Sequence, residues 1–540
     1  MNKEILLIQP WIEDFYITDC RLQPIGLCYI AANVMKEFPD MPVHILDCLS
    51  SSHKENLPWP TEFKYLKPYY GHPDSGPFAL FHKYYRFGMP EQDVRCKLER
   101  HSPLVIGISS LFTPYYRETL AMASLCKDIF PDVPIVIGGN HASLHPGSLL
   151  HYKNKKNRHV CNYVVRGEGE IPFRDIISSL LAKKDIPTIP NIIKREDTHS
   201  SLKPVEIPDR DKIPSPAISI LDINKYTYKK LPSAVLVTSR SCPHKCAFCT
   251  VHAVFGERYY TVPEDRVISE IKDLFSLGIR HFDIEDDNFT FDRQRAIGIL
   301  DKIIELDLPI ELSAMNGLSY LSLDNELLTK MKKAGFKSIN LAIVSHDEKI
   351  RAGLARPHTR DRLIEIVSAA NSIGLTVGIS CIIGLPDQTI PEIWSTLTFL
   401  SGLQCLIQPS PFYFTPGSRL HIAKQGDPGI KLASHRKDPF LSARLTAMDL
   451  ECNEFTREDI FTLWKLVRVI NHIKMGLDKG HAENSPFFSE AFEIFKTCKW
   501  RTSKKYGGKS LPFSQKVASL IKTAPLRITG HKTNNTLFVR

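Results

Sequence analysis

The chain has 540 residues, of which 43% are hydrophobic and 24% are charged. This length exceeds one ordinary core and predicts two or three domains, and the composition is typical of a soluble globular protein. The apolar run at the amino terminus is too short for a signal peptide, and no other run approaches bilayer length, so a cytoplasmic protein without a transmembrane segment is expected. The 13 cysteines are scattered and odd in number, which argues against a disulfide framework.

The net charge of +10 is concentrated at one end of the chain. Residues 496–540 contain eleven Lys or Arg and no Asp or Glu, so the rest of the chain is close to neutral. The simplest interpretation of this basic end is a solvated segment. Contact with an acidic partner, a membrane surface or nucleic acid is the alternative. Because a solvated segment is the simpler interpretation, nucleic acid is not the expected partner.

Residues 1–195 alternate apolar strands with amphipathic helices. Apolar residues between 27 and 38 recur at helical spacing, and further helices are expected near 118–129 and 173–181. The predicted strands are residues 3–8, 43–46, 104–109, 135–137 and 163–165. This alternation predicts a Rossmann-like, doubly wound α/β domain with a mainly parallel sheet, whose ligand site lies beyond the carboxyl ends of the strands.

Small and polar residues follow three of these strands. Glycines allow a ligand to approach the backbone closely, and polar side chains supply hydrogen bonds. The candidate binding residues at the strand ends are Ser109, Ser110, Thr113, Gly138, Gly139, Asn140, Gly167 and Glu168.

Two segments interrupt the alternation. Residues 50–103 are rich in aromatic residues and prolines and are too long for a simple connection. They predict an inserted subdomain or lid, or alternatively a surface elaboration without function. Residues 196–228 are rich in proline and predict a semi-rigid linker.

Strand–helix alternation restarts and fills residues 229–455 with six units. The predicted strands are residues 234–238, 281–284, 310–314, 338–343, 377–383 and 403–409. Gly278, Gly335 and Gly374 each end a predicted helix and precede an apolar strand, as helix C-cap glycines do. Six such units predict a partial (β/α)6 barrel that works at the carboxyl ends of its strands. Residues 456–540 are predicted to form a helical, basic C-terminal region.

Three cysteines follow the first barrel strand with the spacing C-x3-C-x2-C: Cys242, Cys246 and Cys249. A 4Fe-4S cluster normally takes four cysteine ligands, so a site with three leaves one iron open to another ligand. A zinc knuckle completed by His244 or His252 is the alternative, although closed zinc sites usually draw on a second ligand pair at short spacing.

The cysteine triad, its position after a strand and the neighbouring Phe248 resemble the radical SAM family. In that family the open iron binds S-adenosylmethionine (SAM), and an electron from the cluster cleaves the sulfonium. The preceding α/β domain resembles the cobalamin-binding domain of many radical SAM proteins, although a generic nucleotide- or flavin-binding domain has a similar pattern. The resemblance implies three cofactors: a 4Fe-4S cluster, SAM and cobalamin.

The resemblance also implies where SAM binds. Glu285, Asp286 and Asp287 follow the second barrel strand, where family members contact the methionine amino group. Asn316 follows the third strand and is a further candidate. Gly384 begins a segment that resembles the family's loop beneath the adenine.

The chain departs from the family at two of these places. Val344 stands where relatives often have a Glu that hydrogen-bonds the SAM ribose, and Ser345 is a candidate replacement. Asp387 and Gln388 replace the more usual Gly-Glu. Arg356 fits the family's pattern and is expected to meet a carboxylate of substrate or SAM, or to form a structural ion pair.

The resemblance implies a radical SAM enzyme that uses cobalamin to methylate an unactivated carbon of a small biosynthetic intermediate, with an electron donor such as flavodoxin or ferredoxin. A cyclase or rearrangement enzyme without methyl transfer is one alternative. A non-catalytic cobalamin or cluster sensor that binds nucleic acid is another. The chain lacks the Asp-x-His-x-x-Gly loop of histidine-ligated cobalamin domains, so no protein histidine is expected on cobalt.

Overall fold

Two parallel β-sheets, one in each half of the chain, organise the structure. The structure is a computed structural model that describes residues 3–16, 23–71, 78–199, 204–356, 358–433, 438–478 and 486. The predicted basic end of the chain therefore lies outside the described residues. Within the described ranges, no helix has the length and apolarity needed to cross a membrane.

The N-terminal sheet has six strands. In spatial order they are Val43–Asp47, Glu4–Gln9, Pro103–Ser109, Ile135–Gly138, Tyr163–Val165 and Ile192–Ile193. The first five are parallel and the last pairs antiparallel. Strand Glu4–Gln9 lies between Val43–Asp47, the next strand of this sheet in the chain, and Pro103–Ser109, the one after that. The strand order therefore reverses direction here, and a crevice opens at the carboxyl ends of Glu4–Gln9 and Pro103–Ser109. The predicted doubly wound domain is confirmed.

Alternate residues of the central strands face two different helical layers. Ile5 and Leu7 pack with helices Ile25–Glu37 and Glu170–Ala182, whereas Leu6 and Ile8 pack toward helix Tyr116–Ile129. This is the two-residue side-chain period of a strand buried on both faces. The remaining helices of this half are short: Glu91–Leu98, Asn140–Leu144 and Pro146–Leu150.

The second half of the chain forms an open barrel of six parallel strands. In chain order they are Leu231–Leu236, His281–Ile284, Glu311–Ser313, Ser338–Val344, Thr376–Ile383 and Leu406–Pro411. The first three pair with one another, as do the last three, and bridges from Leu312 to Phe336 and from Leu318 to Leu341 join the two groups. No pairing among the described residues joins the first strand to the sixth. The predicted partial barrel is confirmed.

The first barrel strand ends two residues before the predicted end. Thr238, predicted as its last residue, directs its backbone N–H and its hydroxyl to the carboxylate of Asp286, at 2.6 Å each. These bonds take the chain out of the sheet and into the cysteine-bearing loop.

The described part of the second half contains nine α-helices. They are Val251–Phe255, Glu264–Ser276, Arg293–Glu305, Asn325–Ala334, Glu348–Gly353, Arg360–Ser372, Ile390–Ser401, Arg419–Ala423 and Arg457–Asp478. Gly335 caps its helix with φ +118°, and a Cβ atom there would lie 2.6 Å from the carbonyl oxygen of Ile310. The close approach of helix end to strand therefore requires glycine.

The insertion folds as a small packed subdomain within the described ranges. Its strands Lys54–Leu57 and Tyr84–Phe87 form an antiparallel sheet with Ile12–Asp14. Four of its rings pack edge-on against Phe15, with centroids 4.8–5.4 Å away: Trp59, Phe63, Tyr70 and Tyr84.

Residues 438–449, here called the strap, run from the barrel back over the N-terminal domain. Arg444 of the strap forms a buried ion pair with Asp14 at 3.0 Å and donates to the carbonyl oxygens of Glu13 and Pro114. The insertion is tied to the strap as well, because the Tyr70 hydroxyl donates to Thr446 at 2.9 Å. The insertion and the strap thus hold each other in place.

Gly139 adopts a backbone conformation that only glycine tolerates, with φ +116° and ψ −178°. A Cβ atom there would lie 2.6 Å from the carbonyl oxygen of Ser110. Its neighbour Gly138 has no positive φ, and a Cβ atom on it would meet nothing closer than 3.7 Å. The two adjacent glycines therefore allow a controlled comparison, because only Gly139 requires the absence of a side chain.

We expect Gly139→Ala to lower the free energy of unfolding by at least about 3 kcal/mol, because strain and a backbone clash add. Gly138→Ala should change it by less than about 1 kcal/mol. Urea denaturation of both variants measures the difference. Similar losses in the two variants would contradict the strained-loop geometry.

Glu118, on helix Tyr116–Ile129, is a buried acid whose Oε2 atom has no hydrogen-bond partner. Burial, reinforced by the charge of Glu13, raises the pKa of its carboxyl from 4.5 to about 8. The folded protein therefore keeps this proton between about pH 4.5 and 8, whereas the unfolded chain releases it.

This group makes stability fall as the pH rises from about 4.5 to 8, and the penalty is then constant. We expect Glu118→Gln to stabilise the protein at pH 8, by on the order of 2–4 kcal/mol, and much less at pH 5. Thermal unfolding at both pH values is the measurement, with the exposed Glu99→Gln as control. An equal effect of Glu118→Gln at the two pH values would show that the buried carboxyl is not protonated.

Candidate active site

A cavity of about 670 Å³ lies where the carboxyl ends of the two parallel sheets face each other. The N-terminal domain, the barrel and the strap all contribute to its wall. Its lining includes Ser109, Leu111, Phe112, Thr113, Gly138, Gly139, Asn140, Gly167 and Glu168 from the first domain, Arg240, Glu285, Asp287, Asn316 and Tyr413 from the barrel, and Arg444 from the strap. Residues as far apart in the sequence as Ser109 and Arg444 therefore meet in one space.

Seven of the eight candidates predicted in the first domain line this cavity. Ser110 is the exception. Its side chain is buried and accepts a hydrogen bond from the Thr119 hydroxyl at 3.3 Å. It is therefore engaged within the domain and does not reach the cavity, contrary to the sequence prediction.

The first domain offers an apolar, glycine-lined crevice. Leu111 and Phe112 follow strand Pro103–Ser109, line the cavity and are 41% and 43% exposed, which is unusual for such side chains. Gly138 and Gly139 lie on the adjacent strand end. Such a surface fits a large flat macrocycle better than it fits a small polar ligand.

No histidine lines the cavity in the described part of the chain. His141, the nearest histidine by sequence to the glycine pair, is fully buried, and its Nε2 atom lies 3.0 Å from the Ser148 hydroxyl. Burial lowers the pKa of His141 to about 3. The absence of a protein histidine on cobalt stays a prediction.

The cysteine triad lies at the barrel end of this region. Cys246 is buried and the other two cysteines are partly exposed. Burial raises the pKa of Cys249 to about 11 and also raises that of Cys242. Deprotonation here therefore needs a nearby positive charge, which a bound metal centre supplies.

The three sulfurs are not arranged around a single ion. In the described ranges, the only group of three or more His, Cys, Asp or Glu ligand atoms within 4.8 Å of one another lies elsewhere, at Glu4, His44 and His101. Ligands of one tetrahedral zinc converge more closely than this, whereas a cubane distributes its thiolates over separate irons. The spacing of the sulfurs therefore fits a cluster better than a zinc knuckle.

Arg356 contacts the cluster loop. Its guanidinium donates to the Cys246 sulfur at 3.4 Å and to the carbonyl oxygen of Ala342 at 3.2 Å. The sequence predicted one of two roles for this arginine: contact with a carboxylate of substrate or SAM, or a structural ion pair. Its position instead places a fixed positive charge beside the sulfur of Cys246.

The acidic segment after the second barrel strand has two separate roles. The Asp286 carboxylate is buried and accepts bonds at 2.6 Å from the Thr238 N–H, the Thr238 hydroxyl and the Ser239 hydroxyl. It fastens the start of the cysteine loop and does not line the cavity, so the predicted SAM contact of Asp286 is corrected. Glu285 and Asp287 do line the cavity.

Asp287 also supports the loop. Its Oδ2 atom accepts the backbone N–H of Ser241 at 2.8 Å, one residue before Cys242. Burial raises the pKa of Asp287, and the charge of Arg240 opposes this shift. Asn316 donates to the carbonyl oxygen of Glu285 at 3.2 Å and lines the same wall.

Glu168 joins the two halves of the protein. Its carboxylate lies 2.9 Å from Arg210 of the linker and 3.1 Å from Arg240, which precedes the cysteine loop. Glu168 and Arg210 are at most 5% exposed. Burial would raise the pKa of Glu168, but the two arginines hold it below its usual value. The sequence did not predict either arginine as a partner of Glu168. A single arginine, in a linker or before a loop, carries no pattern that reveals a buried partner.

Two predicted residues on the far side of the barrel do not reach the cavity. Ser345 is fully buried, and its hydroxyl bonds to Thr396 at 3.2 Å and accepts the N–H of Asp347 at 3.1 Å. It is therefore not free to replace the missing ribose ligand, which corrects that expectation. Val344 has φ +70°, a strained conformation for a β-branched residue, at a register shift in its strand.

The segment that begins at Gly384 is closed by a side chain. The Gln388 Oε1 atom accepts the N–H groups of Gly384 and Leu385 at 3.0 and 3.1 Å. Asp387 has φ +65°, where the family's usual glycine would be unstrained. Gly384 and Phe248 are not among the residues that line the cavity.

Comparison with known proteins identifies both halves. A profile of the radical SAM superfamily matches residues 236–400, and a profile of the B12-binding domain matches residues 83–177. An uncharacterized methyltransferase of Pyrococcus horikoshii is 30% identical over 335 residues, which are 61% of this chain and 71% of that protein. Cytidylyl-2-hydroxyethylphosphonate methyltransferase of Streptomyces wedmorensis is 26% identical and aligns with 68% of this chain and 69% of its own length.

Solved structures share the fold. The radical SAM methyltransferase TsrM from Kitasatospora setae aligns with a TM-score of 0.60 at 17% identity, over 80% of this chain and 78% of its own. The cobalamin-dependent radical SAM enzyme OxsB aligns with a TM-score of 0.55 at 12% identity, over 92% of this chain and 71% of its own. The chain belongs to the radical SAM superfamily, as an enzyme with a B12-binding domain whose cofactors are a 4Fe-4S cluster, SAM and cobalamin.

Proposed function

We propose that this enzyme methylates an unactivated carbon of a small biosynthetic intermediate. The observation that carries the proposal is the shared cavity, into which the glycine crevice of the B12-binding domain and the acidic loop of the barrel both open. Methyltransferase names among the relatives support the same reaction.

When bound, the cluster and SAM supply a radical that removes hydrogen from carbon, and cobalamin supplies the methyl group. Cys242, Cys246 and Cys249 would hold the cluster, and Arg356 would stabilise thiolate charge at Cys246. Glu285 and Asp287 would receive the SAM amino group in charge-assisted hydrogen bonds. Asn316, Phe248 and Gly384 remain proposed SAM contacts through the family resemblance.

The first domain would hold cobalamin without a side chain on the metal. Ser109, Thr113 and Asn140 would bond the periphery, and Gly138, Gly139 and Gly167 would let it approach the backbone. Glu168 would act at the rim of both sites, because it lines the cavity while it pairs with Arg240.

The wall of the shared cavity is mostly apolar. Tyr413 and Leu445 line the cavity from the barrel side and the strap, and Tyr115 does so from the first domain. A buried, mostly apolar enclosure protects a reactive carbon centre from solvent and directs it to the methyl donor. An electron donor such as flavodoxin or ferredoxin is proposed to reduce the cluster.

A cyclisation without methyl transfer is the second candidate. It is favoured by the anaerobic magnesium-protoporphyrin IX monomethyl ester cyclase of Rubrivivax gelatinosus, which is 23% identical over 317 residues, 57% of this chain and 56% of that protein. The two reactions use SAM differently. Methylation yields S-adenosylhomocysteine and 5′-deoxyadenosine in equal amounts, whereas cyclisation yields no S-adenosylhomocysteine.

The test is anaerobic turnover of reconstituted enzyme with SAM that carries a deuterated methyl group, in a small-molecule extract of the source organism. Methylation predicts a product that gains the deuterated methyl, together with both SAM by-products. A product without deuterium, formed with 5′-deoxyadenosine alone, would replace methylation by cyclisation.

Replacement of Cys242, Cys246 and Cys249 by Ala should abolish iron binding and the formation of 5′-deoxyadenosine, since three thiolates are the cluster's only proposed protein ligands. Wild-type protein should bind about four irons per chain. Iron analysis and mass spectrometry make the measurement, and Cys452→Ala is the control. Iron retained by the triple variant would refute the cluster assignment.

Glu285→Gln should weaken SAM binding by roughly ten- to a hundredfold, the value of one charge-assisted hydrogen bond, while the cluster spectrum stays unchanged. Glu257→Gln is the matched control, because Glu257 is exposed and pairs with Lys245 of the cysteine loop. The measurement is the equilibrium affinity of each cluster-loaded variant for SAM. Equal affinities of the two variants would remove Glu285 from the site.

A further inference from the structure

A second cluster of metal-ligating side chains lies at the opposite edge of the N-terminal sheet. Glu4 begins the first strand, His44 lies in strand Val43–Asp47, and His101 precedes strand Pro103–Ser109. These strands are neighbours and run parallel, so their amino ends meet at one edge. The cofactor cavity is at the carboxyl ends, about 20 Å away along a six-residue strand.

The ligand atoms of the three residues converge. The His101 Nδ1 atom lies 2.9 Å from Oε1 of Glu4, and the His44 Nε2 atom lies 3.1 Å from Oε2. All three ligand atoms fall within 4.8 Å of one another. The two imidazole centroids are 5.2 Å apart, and each ring contacts a different oxygen of the carboxylate.

These separations suit a small tetrahedral ion. Bonds of 2.0–2.1 Å at tetrahedral angles place ligand atoms about 3.3 Å apart, and each imidazole nitrogen already lies close to that distance from one oxygen of the Glu4 carboxylate. The two nitrogens contact different oxygens of Glu4, so coordination together with a single oxygen requires His44 to rotate, and its side chain is 48% exposed. Glu4 is the fixed member, since its Oε1 atom also accepts the N–H of Ser102 at 2.7 Å.

We propose that Glu4, His44 and His101 form a divalent metal site, suited best to Zn²⁺, that clamps the amino ends of three adjacent strands. Two imidazoles and one carboxylate are an established zinc ligand set, and a water completes the tetrahedron. The ion would join segments on either side of the insertion and fasten the edge of the sheet that the cofactors do not reach.

The experiment uses full-length, cluster-loaded protein, freed of loose metal and dialysed against Zn²⁺. Elemental analysis should give one zinc per chain. X-ray absorption at the zinc edge, where iron does not contribute, should show nitrogen or oxygen ligands at about 2.0–2.1 Å and no sulfur near 2.3 Å. Zinc bound through sulfur, or no stoichiometric zinc, overturns the proposal.

Three variants locate the ion: Glu4→Gln, His44→Gln and His101→Gln. Each should weaken zinc binding by more than about tenfold, since losing a ligand costs at least as much as losing one of its outer partners. His53→Gln, an exposed histidine outside the cluster, should bind zinc as the wild type does. His44→Gln is the decisive variant, because its exposed position leaves the fold intact. Unchanged zinc affinity in His44→Gln would refute the site.

Discussion

The active site depends on one buried carboxylate, that of Glu168, held between Arg210 and Arg240. Each of the three charges belongs to a different part of the chain: the B12-binding domain, the linker and the start of the cysteine loop. A buried ion pair of this kind adds little net stability compared with apolar packing, but the loss of one member is costly. Its value here is geometric, because it fixes the crevice of one domain relative to the cluster loop of the other.

A second set of polar contacts shapes the loop itself. Asp286 and Asp287 act in sequence along the chain, the first on Thr238 and Ser239 and the second on the backbone of Ser241. They bring the strand end to Cys242 in a set direction. The cysteines therefore do not define the loop alone, since the carboxylates that follow the neighbouring strand also position it.

Sequence predicted the fold well because the two sheets depend on periodicity and on glycine at helix ends, which are local properties. It also placed ten candidate residues on the cavity wall, since the carboxyl ends of parallel strands meet in one place. It misassigned Ser110, Asp286 and Ser345, whose polar groups look available in the sequence but are satisfied by Thr119, Thr238 and Thr396. Whether a polar side chain faces a ligand or its own neighbours is decided by packing. The roles of Arg210, Arg240 and Arg444 were missed for the same reason.

The strap has a consequence for the order in which the enzyme is assembled. Its residues follow all six barrel strands in the chain, yet Arg444 fills a place in the first domain beside Asp14. During synthesis the B12-binding domain emerges hundreds of residues before this cover exists, and domains fold as they emerge. Its crevice is therefore open to solvent until the strap has been synthesised. A bulky cofactor has its easiest access in that interval, and docking of the strap then closes the cavity around it.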